Sequence, residues 1–229
     1  MNYEKILQEL KRLAQPESTA GMSRVGIDDQ KAIGVKVPHL RGLGKKIGKN
    51  HELARQLWNG QIRETMILAG IIDDPKQVTE EQMEQWVADF YDWEVCDQTI
   101  MNLFEKTPCA VRKAKEWCQR DEEFVRRAGF VMMARLAVSD KKAGDELFLD
   151  FLPFIRKGAT DERNAVKKAV NWAIRQIGKR NMNLHSHCVT LAEEIAGFSA
   201  QSAQWIARDA LRELTDEKTI ARVRKKSQK

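Results

Sequence analysis

Phe124–Arg135 reads FVRRAGFVMMAR, and Ala165–Gln176 repeats its pattern 41 residues later as AVKKAVNWAIRQ. A third, fainter copy, Ile206–Glu217 (IARDALRELTDE), follows after another 41 residues. Each copy places two polar positions between an apolar residue and an alanine, and both positions are basic in the first two copies. Such a repeat indicates an array of similar helical units, although chance similarity between amphipathic helices gives the same pattern.

A period of 41 residues is typical of HEAT and armadillo arrays, in which helix pairs stack because one pair cannot bury its own apolar face. Helical periodicity dominates the chain, whereas alternating runs of β-branched residues are missing. The sequence therefore predicts an all-α fold, a right-handed α-solenoid of HEAT-like helix pairs. Such arrays usually offer an extended concave surface to a large ligand.

We predict helices near residues 2–14, 38–48, 50–58, 61–72, 79–90, 92–105, 108–119, 121–138, 142–156, 160–180, 184–197, 200–214 and 216–225. Pro38 suits a first helical turn, and Thr79 with Gln82 predicts a capping box. With 229 residues and no linker-like segment, one elongated domain over residues 1–229 is the simplest organisation. Within it, residues 1–35 are expected to be less regular, and residues 222–229 to form a frayed basic tail.

The charge of the chain is unevenly distributed. The formal net charge is +6, but residues 73–94 contain eight acidic residues and one basic, whereas residues 156–180 contain eight basic and two acidic. This asymmetry suggests that one part of the surface faces a polyanion, and a solvated charged surface is the alternative.

The sequence contains no secretory signal and no apolar stretch long enough to span a membrane. Its four cysteines form no close pair, which favours reduced thiols in a cytoplasmic protein. His185, His187 and Cys188 lack a second cluster that would complete a metal site. We therefore expect a monomeric, cytoplasmic protein without a metal or another cofactor.

The helix predicted around residues 165–179 carries a cationic stripe with an aromatic residue in its middle. Its apolar residues share one face, and the other face holds Lys168, Trp172, Arg175 and Lys179. A large indole among cations suits a nucleic-acid surface, where cations meet phosphates and the ring packs on a sugar or base. Packing of Trp172 on a neighbouring helix is the alternative.

Three further side chains stand out from a purely structural pattern. Trp93 and Asp97 are four residues apart, so both lie on one face of a predicted helix, at the edge of its apolar arc. This position gives a carboxylate beside an aromatic ring, although an ordinary helical aspartate that caps the helix or pairs with a lysine fits the same spacing. Arg127 interrupts an apolar helix, where it reaches solvent, pairs with a carboxylate or points into an anion-binding groove.

Over residues 26–214 the chain resembles the AlkD-type DNA alkylation repair family, the HEAT-like repeat DNA glycosylases. The resemblance is carried by residues 92–97 (DWEVCD), 124–129 (FVRRAG) and 166–175 (VKKAVNWAIR). It implies that Asp97 is the catalytic aspartate, with Trp93 and Trp172 as the aromatic residues of the site. It also implies that Arg127 contacts the DNA.

The resemblance implies hydrolysis of the N-glycosidic bond of N3- or N7-alkylated purines in duplex DNA, without moving the base into a pocket. Asp97 would stabilise the positive charge that develops on the deoxyribose, while Trp93 and Trp172 flank the sugar. Arg127, Lys168 and Arg175 would hold phosphates next to the lesion, and Lys179 extends this DNA-binding stripe.

Two other functions fit the same residues. A non-catalytic HEAT-repeat protein that binds bent or branched DNA would use the same cationic surface. A helical scaffold for another protein would need neither the cations nor the carboxylate.

Overall fold

The computed structural model describes residues 1–228, and of Pro16 the backbone alone. These residues form fourteen α-helices and four 3-10 turns, and no strand occurs among them. The helices are α1 (Tyr3–Leu13), α2 (Val37–Ile47), α3 (His51–Trp58), α4 (Arg63–Ile72), α5 (Glu80–Ala88), α6 (Trp93–Asn102), α7 (Ala110–Trp117), α8 (Glu123–Ser139), α9 (Asp145–Leu149), α10 (Leu152–Gly158), α11 (Asn164–Gly178), α12 (Met182–Ala196), α13 (Gln201–Leu214) and α14 (Glu217–Ser227). The predicted all-α class is confirmed.

The ends of several helices follow from local chemistry. Pro38 lies in the first turn of α2, as predicted. At the start of α5, Thr79 Oγ1 accepts a hydrogen bond from the backbone N–H of Gln82 at 3.2 Å. The Gln82 side chain turns instead to Asp73, to which its amide donates at 2.7 Å.

The single helix predicted over residues 142–156 is wrong, since this segment forms the two helices α9 and α10. Pro153 has no N–H to donate to the carbonyl of Leu149, so α9 ends at that residue and α10 begins beyond it. Within residues 1–35, which are predicted to be less regular, α1 is followed by three 3-10 turns.

The chain forms two compact units, Met1–Pro108 and a second unit that begins at Cys109. The single elongated domain stays a prediction. In the first unit, α4 is buried on nearly all sides and packs against α2, α3 and α6. Gly44 of α2 allows the close approach of α4, because a Cβ there would lie 2.4 Å from the Ile71 side chain. The centre of this unit is therefore one apolar helix enclosed by three others.

In the second unit, the three copies of the 41-residue pattern fall on α8, α11 and α13. The middle helix, α11, packs against both of the others, and α7 and α12 pack against α8 and α13, respectively. The sequence repeat therefore corresponds to a structural repeat. Gly129 lets α7 touch α8, because a Cβ there would lie 2.3 Å from the backbone nitrogen of Cys118.

The frayed tail predicted from residue 222 is wrong for the described residues, because α14 continues to Ser227. Its N-terminus is capped by Asp216, Val223 is buried, and Ser227 Oγ accepts a hydrogen bond from the backbone N–H of Met182 at 2.8 Å. These contacts order the segment. The last residue of the predicted tail lies outside the described residues. Within residues 1–228, no helix is long and apolar enough to cross a membrane.

Candidate functional site

The helix that carries Trp93 and Asp97 begins with a buried carboxylate. Asp92 caps α6 by accepting hydrogen bonds from the backbone N–H groups of Glu94 and Val95 at 2.9 and 2.8 Å. It also accepts one from the N–H of Asp28 at 3.4 Å. Burial raises the pKa of Asp92 above its ordinary value, although these N–H groups favour its charged form. The cap fixes the first turn of α6, where Trp93 stands.

The indole of Trp93 is held by the irregular segment that precedes α2. Its Nε1 donates to the carbonyl oxygen of Val25 at 2.7 Å. Gly26 follows in the left-handed conformation, with φ of 79°, and a Cβ there would lie 3.7 Å from the Trp93 ring. Trp93 is half-buried, so one part of the ring is fixed while another part meets solvent.

Asp97 lies one turn after Trp93 and retains 9% of its surface exposed. The predicted common face of Trp93 and Asp97 follows from their four-residue spacing on the observed helix. A carboxylate with so little contact to water acts more strongly on a nearby cation than an exposed one. Its catalytic role stays a prediction.

A buried charge network lies beside this helix. Arg63 of α4 pairs with Glu94 of α6 at 2.7 Å and with Glu64 at 2.9 Å. Burial opposes the charge of Arg63, but the hydrogen bond with Glu94 and the two carboxylates keep its pKa above the ordinary value. Glu64 also accepts three backbone hydrogen bonds, at 2.8–3.1 Å, from Ile33, Gly34 and Val35. The network joins α4, α6 and the segment before α2.

In the second unit, Arg127 of α8 is buried, with 5% of its surface exposed. Its guanidinium donates to the carbonyl oxygen of Ala165, in the first turn of α11, at 2.6 Å. This bond joins two copies of the repeat. The DNA contact expected of Arg127 stays a prediction.

The cationic stripe on α11 contains both unpaired and paired residues. Lys168 is exposed and has no carboxylate partner in the part of the chain that the structure describes, and Trp172 is half-buried. Arg175 and Lys179 both pair with Glu213 of α13 at 2.6 Å. Phosphate would therefore have to compete with Glu213 for two of the four predicted contacts.

Two acidic residues of α13, which the pattern of α11 alone does not reveal, explain this pairing. Asp209 stands at the repeat position of Arg127 and Lys168, where it accepts a hydrogen bond from the buried Asn171 at 2.7 Å. It also lies 3.6 Å from Arg175. The signal was present in the sequence, because the third copy of the repeat carries an acid where the first two carry a base.

The second acid, Glu213, stands at the repeat position of Trp172. Burial disfavours its charge, but the hydrogen bond from Lys179 and the charges of Lys179 and Arg175 outweigh that effect. The pKa of Glu213 therefore lies below its ordinary value.

One tryptophan of the second unit lies partly outside the core. Trp58, Trp86 and Trp117 are buried, but Trp205 of α13 is 36% exposed. The ammonium of Lys167 lies 5.1 Å from its ring centroid, so a cation covers part of the ring in place of apolar side chains.

His185, a candidate metal ligand in the sequence, has a structural contact in the fold. It is buried, and its Nδ1 lies 3.0 Å from the carbonyl oxygen of Gly178 at the end of α11. His187, two residues later, is exposed. The two imidazoles therefore have different environments.

Comparison with solved structures defines the class of this protein. A structure described as "a new family of proteins related to the HEAT-like repeat DNA glycosylases with affinity for branched DNA structures" superposes with a TM-score of 0.77. The two chains are 22% identical, and the match covers 93% of this chain and 95% of the other. The fold is therefore an α-solenoid of HEAT-like repeats, as predicted. Its handedness and concave surface stay predictions.

Sequence comparison gives the family. The model of the family described as "DNA alkylation repair enzyme" matches residues 6–214, so the chain belongs to the DNA alkylation repair family. Two curated relatives are the uncharacterized proteins Lin0241 of Listeria innocua and Lmo0209 of Listeria monocytogenes. Each is 22% identical over 199 residues, which cover 85% of this chain and 87% of the relative.

Proposed function

We propose that this protein is a monofunctional DNA glycosylase that hydrolyses the N-glycosidic bond of cationic N3- or N7-alkylpurines in duplex DNA. The observation that carries the proposal is the pair on α6, a nearly buried Asp97 one turn after an indole that is hydrogen-bonded in place. Membership of the DNA alkylation repair family supports the same substrate class. Action on cellular DNA implies a cytoplasmic location.

The chemistry requires little of the protein because an alkylated purine already carries a positive charge. When the bond between C1′ and the base nitrogen breaks, the electron pair goes to the base, which leaves neutral without a general acid. The deoxyribose becomes cationic, and the carboxylate of Asp97 stabilises that charge. Water, oriented by Asp97, adds to C1′ and loses a proton to the solvent.

Trp93 and the cations have positioning roles in this proposal. The exposed part of the Trp93 ring faces the sugar and adds a cation–π contribution as charge develops. Trp172 packs against the DNA, and Lys168 with Arg127, Arg175 and Lys179 contacts phosphates. Because stabilisation of the sugar replaces recognition in a deep pocket, the base need not leave the helical stack. The reaction uses no metal or other cofactor, and one protein molecule acts alone.

A second candidate function is a non-catalytic protein that binds branched DNA. The solved structure with a TM-score of 0.77 belongs to a family described as having affinity for branched DNA. The burial of Asp97 and the bond from Arg127 to Ala165 fit structural roles for both residues. Under this alternative the cations of α11 bind DNA but no base is released.

The experiment that separates the two functions uses randomly methylated duplex DNA in buffer with a metal chelator. We expect the wild-type protein to release methylated purines, identified by chromatography, and to leave the strand uncut. A parallel binding assay compares a four-way junction with a linear duplex of equal length. No released base together with preferential junction binding would refute the glycosylase and support the branched-DNA protein.

A further inference from the structure

A cavity of about 550 Å³ lies in the second unit, and the predicted site residues Lys168 and Trp172 are not among its lining residues. It is lined by residues from the ends of α8, α11 and α14, from the segment between α8 and α9, and from the start of α9. Its charged lining residues are Lys141, Asp145, Lys179, Arg180 and Lys226. We call it the C-terminal cavity.

The C-terminal cavity holds four cations and one carboxylate. The carboxylate, Asp145, accepts hydrogen bonds from the amides of Asn181 and Asn183 at 2.6 and 2.8 Å. Four cations against this one carboxylate give the lining a net positive charge.

Two of the four cations build the walls. Arg180 donates to the carbonyl oxygens of Ala137 and Ala143 at 3.2 and 2.7 Å, and its guanidinium lies 4.3 Å from the ring centroid of Phe148. Lys179 pairs with Glu213. The bonds of Arg180 tie the end of α11 to α8 and to the segment after it, and the pair of Lys179 ties the end of α11 to α13.

The other two cations, Lys141 and Lys226, have no carboxylate partner within the described residues. Lys226 donates to the carbonyl oxygen of Lys179 at 2.8 Å, which places its charge in the cavity without cancelling it. Burial and then the charges of Lys141, Lys179 and Arg222 lower the pKa of Lys226. The cations repel one another, and an anion between them would relieve that repulsion.

We infer that the C-terminal cavity binds backbone phosphate of DNA, with Lys141 and Lys226 as its ligands. This inference rests on the proposed function, since it supplies a phosphate contact away from the lesion. Phosphate suits the cavity because several ammonium groups can share its oxygens.

The position of the cavity along α11 fits this assignment. Lys179 follows Trp172 by seven residues, so it lies on the same face of the helix, about 10 Å further along its axis. Duplex DNA rises about 3.4 Å per base pair. For a duplex that runs along α11, the cavity would reach a phosphate about three base pairs from the nucleotide that meets Trp172.

The test is a salt titration of binding to an undamaged duplex. The variant Lys141→Gln with Lys226→Gln removes both charges and keeps a donor for the carbonyl of Lys179. The matched control is Lys142→Gln with Lys225→Gln, which removes two exposed charges next to the same positions but outside the cavity. Thermal unfolding of both variants checks the fold.

We expect the cavity variant to bind about tenfold more weakly at 0.1 M salt, with a slope of log K against log salt that is smaller by about 1 to 2. The control should lose less than about threefold, with nearly the wild-type slope. Equal losses in both variants would overturn the inference, and so would a wild-type protein that binds no DNA.

A second measurement separates backbone phosphate from free phosphate compounds. Thermal stabilisation by inorganic pyrophosphate, lost in the cavity variant while DNA binding stays unchanged, would assign the cavity to a free phosphate compound and refute the DNA contact. The inference and the glycosylase proposal can fail separately. A protein that releases no base but loses DNA affinity selectively in the cavity variant retains the cavity assignment.

Discussion

The residues around Trp93 and those around Trp172 use charge in different ways. Beside Trp93, the Arg63–Glu94 and Arg63–Glu64 ion pairs are buried within the first unit. On the helix that carries Trp172, the pairs of Arg175 and Lys179 with Glu213 are partly open to solvent. A buried network holds one geometry, whereas partly exposed ion pairs can exchange a partner for a phosphate.

This difference suggests a division of roles under the proposed function. Chemistry needs a carboxylate and an aromatic ring in fixed positions, which the buried network near α6 supports. DNA binding needs cations whose contacts can change with salt and partner, which α11 provides. The following changes test each half of this comparison.

The largest expected effect is on the stability of the region around Trp93. Replacing Glu64 by alanine leaves Arg63 with one carboxylate fewer and three backbone N–H groups without their acceptor. We expect a loss of about 3–5 kcal/mol in the free energy of unfolding, measured by urea denaturation with tryptophan fluorescence. The exposed control Glu81→Ala should cost about 0.5 kcal/mol. Equal costs would show that the network does not stabilise this region.

A smaller effect, on DNA affinity, is expected in the region around Trp172, where Glu213→Gln releases Arg175 and Lys179 from their shared partner. We expect duplex DNA to bind several-fold more tightly, with a salt slope steeper by about 1, because a freed cation can meet a phosphate. Stability should fall by about 0.5–1 kcal/mol. The control Glu217→Gln removes an equivalent exposed charge near the same end of the chain. Unchanged or weaker DNA binding by the Glu213 variant would mean that these two cations do not contact phosphate.

The smallest effect is the pH dependence of the same ion pairs. Because the pKa of Glu213 is lowered in the folded protein, its stabilisation is present above the ordinary value of 4.5 and is lost as pH falls through the lower folded value. The urea midpoints of wild type and Glu213→Gln should therefore differ at pH 6, and the difference should shrink as the pH falls below 4.5. A difference that stays constant or grows as the pH falls through the acid range would contradict this linkage.

Local patterns in the sequence were sufficient to predict most of the helices and the common face of Trp93 and Asp97. The four-residue interval between Trp93 and Asp97 fixes their common face, and the 41-residue repeat identifies α8, α11 and α13 as equivalent helices. Pro153 shows the limit of prediction from apolar periodicity. The apolar pattern of residues 142–156 is continuous, but Pro153 cannot donate a hydrogen bond to the carbonyl of Leu149, so the segment forms two helices.

Contacts between distant segments could not be predicted from the sequence. The bond from Trp93 to Val25 spans 68 residues, and Glu64 meets Gly34 across 30 residues. The partners of Arg175 and Lys179 lie on the next helix of the repeat, so a helical wheel of α11 alone shows a free cationic stripe. The packing of neighbouring helices therefore decides which cations are available to bind phosphate.

The most direct test of the proposed function is single-turnover release of a methylated purine by Asp97→Asn. The substitution keeps the shape of the side chain and removes its charge, so we expect excision to fall by about 10²–10³-fold. Affinity for duplex DNA should stay within about twofold of wild type, because the change leaves the cations in place. Glu81→Gln serves as the control for a lost negative charge in the first unit. Excision by Asp97→Asn at the wild-type rate would contradict the proposed mechanism.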